Sequence, residues 1–224
     1  MTVRGAAFPT TSGHHLAVKI AAPPVSIYGR QGESRDGRVD RGNPNVSLQH
    51  SIEYRPLLDG DAGTFMTLDA MRDAVLGRIP PDYSGYQDPF NIKAAYQITA
   101  SANNHDARSQ IAALFNWVIA NITYEAHPIN QQTLQDARRT LELKRGDCVS
   151  LSVLLATLLA SLFYEPRFVA QWVDGESASH VYVETLLDDG QWLALDAVAK
   201  DQPIGWRQQT LDGGFEVAWE IFNG

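Results

Sequence analysis

Residues 144–162, KRGDCVSLSVLLATLLASL, hold the chain's one cysteine at the mouth of its most apolar run. Val149, Leu151, Val153, Leu154, Leu155, Leu158, Leu159 and Leu162 make the run apolar nearly all round at helical spacing. A helix that is apolar nearly all round sits in the middle of a domain, with partners on every side. Asp147 is suited to cap it, which puts Cys148 at its N-terminus. That position allows two readings. Free cysteine is among the most buried residue types and often only packs. A helix N-terminus, however, carries about half a positive charge, which favours thiolate.

Outward from this helix the pattern is helical before it and stranded after it. In DARSQIAALFNWVIANITY, Ile111, Leu114, Phe115, Val118 and Ile122 recur at helical spacing behind Asp106 as N-cap. TLQDARRTLELKR predicts a shorter helix, with Thr133 and Asp136 spaced as a capping box and Gly146 ending it. TLDAMRDAVLGRI, residues 67–79, is helical in pattern and stopped by Pro80 and Pro81. After residue 165 the period changes to two. RFVAQWV (167–173), HVYVETLL (180–187), QWLALDAV (191–198) and FEVAWEI (215–221) read as strands. Helices followed by a run of antiparallel strands predict an α+β architecture, with the cysteine-bearing helix packed on the sheet.

Composition narrows the function classes. Residues 1–60 hold seven Lys/Arg against five Asp/Glu and the remainder 11 against 21, so the chain's net −8 divides into +2 on residues 1–60 and −10 on residues 61–224. An acidic body repels phosphate backbones, which argues against nucleic acid as a partner. One cysteine makes no internal disulfide, and MTVRGAAFPTTSGHH has no apolar signal core, so a reducing, cytoplasmic setting is expected. The apolar run is too short to span a bilayer, which argues against a membrane partner. Residues 1–60 read as an arm, poor in apolar residues over SIYGRQGESRDGRVDRGNPN and interrupted by the strand-like HLAVKI and NVSLQHSIEY; residues 61–224 read as the main domain. Such an arm offers a surface for a protein partner.

A nucleophilic thiol needs a base in hydrogen-bond reach and a third group that fixes the base's tautomer. His180 and Asp196 lie on adjacent predicted strands. A two-residue turn at Asp189-Gly190 would place them on opposite faces. A three-residue loop, Asp188-Asp189-Gly190, sets Tyr182 against Asp196 and makes His180 its diagonal neighbour at about 7–8 Å, close enough for the side chains to meet. Gly190 stands where that loop requires a positive φ.

These pieces, NWVIANITY, RTLELKRGDCVSLSVLLATLLASLFYEPRFV, SHVYVE and GQWLALDA, in this order over residues 105–200, resemble the transglutaminase-like cysteine hydrolases. The resemblance implies a papain-like α+β core, with Cys148 as nucleophile, His180 as general base and then acid, and Asp196 as the orienting carboxylate. It implies no metal and no organic cofactor, a protein or peptide amide as substrate, and a bacterial or bacteriophage source. The chain departs from the pattern twice. Val149 and Ser150 follow the cysteine where many members carry an acidic pair, and Phe163 replaces the glycine that usually ends the helix. For the oxyanion, the backbone N–H of Cys148 is one candidate donor and Tyr124 a second.

Other residues have plainer readings. His105, near a helix start, and His127, in a proline-containing loop, fit solvated surface. Trp117, Trp172, Trp192, Trp206 and Trp219 fit core or cleft wall. Zinc held by Cys148, His180 and Asp196 would lack a fourth ligand, and His14, His15 and His50 lack a carboxylate or thiol nearby. The expected function is a thiol-dependent hydrolase or acyltransferase acting on amide bonds, with peptidase or amidase activity favoured over cross-linking because the chain lacks the accessory domains of animal transglutaminases. The alternative is a non-catalytic binding or virion-assembly module on the same fold.

Overall fold

The computed structural model describes residues 52–54, 60–80, 83–103, 105–126, 132–173, 178 and 180–222, all within the unit Asn45–Gly224. The elements in chain order are β1 (Ile52–Tyr54), α1 (Gly60–Val75), α2 (Pro89–Thr99), α3 (Ala107–Asn121), β2 (Thr123–Tyr124), β3 (Gln132–Leu134), α4 (Ala137–Leu143), β4 (Arg145–Gly146), α5 (Cys148–Ser161), β5 (Pro166–Trp172), β6 (His180–Leu186), β7 (Trp192–Leu195) and β8 (Phe215–Glu220). This is an α+β fold. Apart from β1 and Gly60, the arm expected at residues 1–60 lies outside the described residues, as do His14, His15, His50 and His127.

Helix α5 forms the centre. Every residue from Val149 to Ser161 is buried, as its all-round apolar sequence requires. It meets α1, α2, α3 and α4 on one side and β5 and β6 on the other. Each fully buried leucine contributes about 2–3 kcal/mol, so α5 alone supplies much of the force that gathers these elements. The sheet is antiparallel in the order β7-β6-β5-β8. Its α5-facing side carries Phe168, Ala170, Trp172, Val181, Val183 and Leu195, all buried in the main core. The opposite side carries a smaller cluster of Val169, Tyr182 and Ala194, covered by the irregular segment after β7. Two further pairings, β1 antiparallel to β3 and β2 parallel to β4, complete the strands.

Three elements depart from the sequence expectation. Helix α1 runs from Gly60 to Val75 rather than 67–79, because the chain leaves the helix at Leu76 and turns through Gly77 at φ +70° before Pro80 is reached. Helix α4 begins at Asp136, not Thr133. The Asp136 carboxylate accepts from Arg139 N at 2.7 Å, while Thr133 is a strand residue opposite Glu53. Its end is set by Lys144 in the left-handed conformation, φ +57°, rather than by Gly146. Helix α2 was not anticipated. Asp88 caps it and Pro89 opens it, but Asn91 is wholly buried among its apolar positions, donating to Ser84 Oγ and to the Gly85 carbonyl, and so breaks the hydrophobic period.

Candidate active site

The approach to Cys148 is set by local backbone chemistry. After α4, Arg145–Gly146 pairs in parallel with Thr123–Tyr124, which brings Tyr124 opposite Gly146. No larger residue fits at 146, since a Cβ there would lie 2.5 Å from the Ser150 Cβ. The strand can therefore run straight into the first turn of α5. Asp147 caps that turn, its Oδ1 accepting from Ser150 N at 2.8 Å and Ser150 Oγ at 2.7 Å. Cys148 is the first residue of α5 and only half-buried, unlike the rest of the helix. Its sulfur thus lies at the positive end of the helix dipole.

His180 opens β6 and Asp196 follows β7 directly. Val183 opposes Leu195 and Glu184 opposes Ala194, the register that the three-residue loop requires. The loop closes with Leu187 N donating to Gln191 O and Gly190 N to Leu187 O, and Gly190 adopts φ +80°. His180 Nε2 consequently meets Asp196 Oδ2 at 2.8 Å. The other Asp196 oxygen accepts from Val198 N at 3.1 Å. Ser152 Oγ, one turn into α5, donates to the Val181 carbonyl at 3.2 Å and ties the helix to β6 beside His180.

The Cys148 thiol is within side-chain hydrogen-bond reach of His180. With Nε2 engaged by Asp196, Nδ1 is the nitrogen left for it. Burial of the imidazole opposes its protonation, but hydrogen bonds to Asp196 and Cys148, together with the negative charge of both, outweigh burial and push the His180 pKa up to about 9. The site therefore holds imidazolium beside the sulfur at neutral pH. Tyr124, 38% exposed, flanks it. Partial burial first, and then the charges of Cys148 and Asp147, raise its phenol above the ordinary range, so it stays an O–H donor.

The structure thus brings Cys148, His180 and Asp196 together, with Tyr124 at the rim. It leaves His105 exposed near the start of α3. Among the described residues no three His, Cys, Asp or Glu side chains are grouped to hold a metal ion, and no helix is long and apolar enough to cross a membrane. Two contributors escaped the sequence reading. Ser152 looks like one more small residue in an apolar helix. The irregular segment 198–211, which walls the space beside His180 and Asp196, has no hydrophobic period at all. Of the tryptophans, Trp172 is core and Trp206 lines that space.

Residues 92–197, which include Cys148, His180 and Asp196, match the transglutaminase-like superfamily. No curated protein matches the chain. Among solved structures, a candidate cysteine protease from Cytophaga hutchinsonii is 21% identical with a TM-score of 0.43, over 64% of this chain and 44% of that one. A candidate protease from Parabacteroides distasonis is 15% identical with a TM-score of 0.45, over 59% of this chain and 26% of that one. Calcium-bound LapG from Legionella pneumophila is 13% identical with a TM-score of 0.41, over 68% of this chain and 87% of that one. The chain spans under half of the length of the first two.

Proposed function

We propose that the transglutaminase-like superfamily domain at residues 92–197 makes this chain a thiol-dependent hydrolase of amide bonds, with Cys148, His180 and Asp196 as its catalytic triad. One observation carries this reading: a half-buried thiol at the N-terminus of a buried helix, in hydrogen-bond reach of an imidazole whose far nitrogen lies 2.8 Å from a buried carboxylate. A thiol that only packed would need neither partner.

Cys148 attacks the carbonyl carbon as thiolate, and the oxyanion is met by the Cys148 backbone N–H, with the Tyr124 hydroxyl as second donor. The C–N bond breaks as the leaving nitrogen takes the proton of the His180 imidazolium. His180, now neutral, removes a proton from water, which attacks the thioester and frees the thiolate. Asp196 holds the Nε2–H throughout, so that Nδ1 faces the reacting atoms. Water is the favoured acyl acceptor because the rim is open. Thr123, Tyr124 and Glu125 are exposed beside the half-buried Cys148.

Turnover of p-nitrophenyl esters and of a peptide-amide panel, followed with and without iodoacetamide, tests the reading. The parent should be inactivated in proportion to alkylation of its single thiol, and Cys148→Ala should lose turnover. A Cys148→Ala protein as active as the parent would refute it.

A further inference from the structure

Beside the His180–Asp196 pair lies a cavity of about 560 Å³, walled by Val173, Val198, Trp206 and Leu211, with Gln208 as its polar edge. This volume falls within the range of about 300–1,000 Å³ usual for ligand pockets. Its outer wall is fastened to the sheet and its margin by two backbone hydrogen bonds and one from a side chain. Leu211 N donates to Val173 O at 2.8 Å, Gly205 N to Ala194 O at 2.9 Å, and Gln171 Nε2 to Gln208 O at 3.0 Å. Gly214 packs so closely behind Val173 that a Cβ there would lie 2.5 Å from the Val173 carbonyl. The cavity is therefore held open by the fold. Leu211 remains 65% exposed at its edge.

We infer that this cavity is the subsite for the amine side of the scissile amide, and that it takes an apolar side chain. The inference rests on the thiol-hydrolase reading above. In that chemistry the carbonyl carbon is bonded to sulfur while the nitrogen receives its proton from His180, so the two halves of the substrate leave the reacting centre in opposite directions. The acyl half extends from Cys148 along Tyr124. The amine half extends over His180. Among the residues lining the cavity are His180 and Asp196 but not Cys148, which places it on the amine side. Its remaining described walls carry no charge. Arg207, in the same segment, does not line the cavity and pairs with Glu184 at 2.6 Å. An apolar side chain there buries against Val198, Trp206 and Leu211, whereas a carboxylate would be desolvated next to Asp196.

The subsite can be tested without the natural substrate. An acyl-enzyme made from a p-nitrophenyl ester divides between water and an added amine. The amine nitrogen attacks the thioester carbon, its proton passes to His180, and the C–S bond breaks to return the Cys148 thiolate and an amide. By microscopic reversibility the amine occupies the leaving-group side. Phenylalaninamide and leucinamide should capture the acyl group about tenfold more efficiently than glycinamide or aspartic acid α-amide, the discrimination a hydrophobic pocket supplies. Leu211→Asp, at an exposed edge position, should collapse that ratio towards one, and Trp206→Ala should lower it for phenylalaninamide more than for leucinamide. Equal capture of all four amines by the parent, or a ratio unchanged in Leu211→Asp, overturns the subsite. Failure of the functional reading looks different: no thiol-dependent ester turnover and no acyl-enzyme on Cys148, which removes the subsite together with the reaction.

Discussion

Replacing Asp196 by Asn should release His180 from its protonated state. The shift of the imidazole from an ordinary 6.5 to about 9 corresponds to about 3 kcal/mol in favour of the imidazolium. Burial alone works in the opposite direction, so the whole preference rests on Asp196 and Cys148. Both oxygens of Asp196 are used as acceptors, one by His180 Nε2 and the other by Val198 N. Asparagine has one acceptor. The main-chain N–H of Val198 cannot reverse its polarity, so the Asn oxygen turns to it and the NH2 turns to His180. The neutral tautomer with its proton on Nδ1 is then favoured, and that nitrogen cannot accept the thiol proton. The His180 pKa should fall by at least about one unit. Turnover should fall on the order of 10³–10⁴-fold, as when a triad carboxylate is amidated in serine proteases.

Selective ¹³C labelling of histidine Cε1, with His180 assigned through His180→Gln, reads the titration directly. Comparing Asp196→Asn with the parent in a Cys148→Ala background separates the carboxylate's contribution from that of the thiol. Stability supplies a second readout. A group whose pKa is raised on folding stabilises the fold fully below its unfolded value and loses that contribution as pH rises through its folded value. The parent should therefore lose up to about 3 kcal/mol of His180-linked stability between pH 6.5 and about 9. In Asp196→Asn most of that pH dependence should vanish. His180 still titrating near 9 in Asp196→Asn would refute the assignment of the shift to this pair.

Three further outcomes follow from packing and backbone geometry. Gly146→Ala forces a Cβ to within 2.5 Å of Ser150 and displaces the first turn of α5; urea unfolding should show a loss of about 1–3 kcal/mol, and alkylation of Cys148 should slow. Leu158→Ala, at a position with no solvent exposure, should cost about 2–5 kcal/mol, seen as a lower midpoint with an unchanged slope. Phe163 adopts φ +66° at the end of α5 while 87% exposed. Phe163→Gly relieves that strain and should stabilise the protein by up to about 1 kcal/mol, measured by the same unfolding curve.

What the sequence discloses about this protein divides along local and non-local lines. Helix α5 is legible because burial on all sides leaves a compositional mark, and β6–β7 because the loop length and Gly190 together fix which residues share a face. The loop reasoning reaches as far as His180 and Asp196. It does not reach Cys148, because no rule of spacing says that the N-terminus of α5 abuts the start of β6. That meeting depends on packing, and Ser152 marks it by donating to the Val181 carbonyl next to His180. Helix α2 was hidden for the converse reason: a buried Asn91, satisfied by Ser84 and Gly85, looks polar in the sequence and behaves as core in the fold.

The segment 198–211 is the extreme case. Its residues obey no period because hydrogen bonds through its main chain to Gln171, Val173 and Ala194, rather than a periodic hydrophobic face, hold it in place. Such bonds constrain the path of the backbone but leave the side chains free to vary. The wall beside His180 and Asp196 is thus the part of the site least written into the fold. Under the proposed function, it is also where sequence change would alter which amine is accepted at least risk to α5, the sheet or the Cys148–His180–Asp196 arrangement.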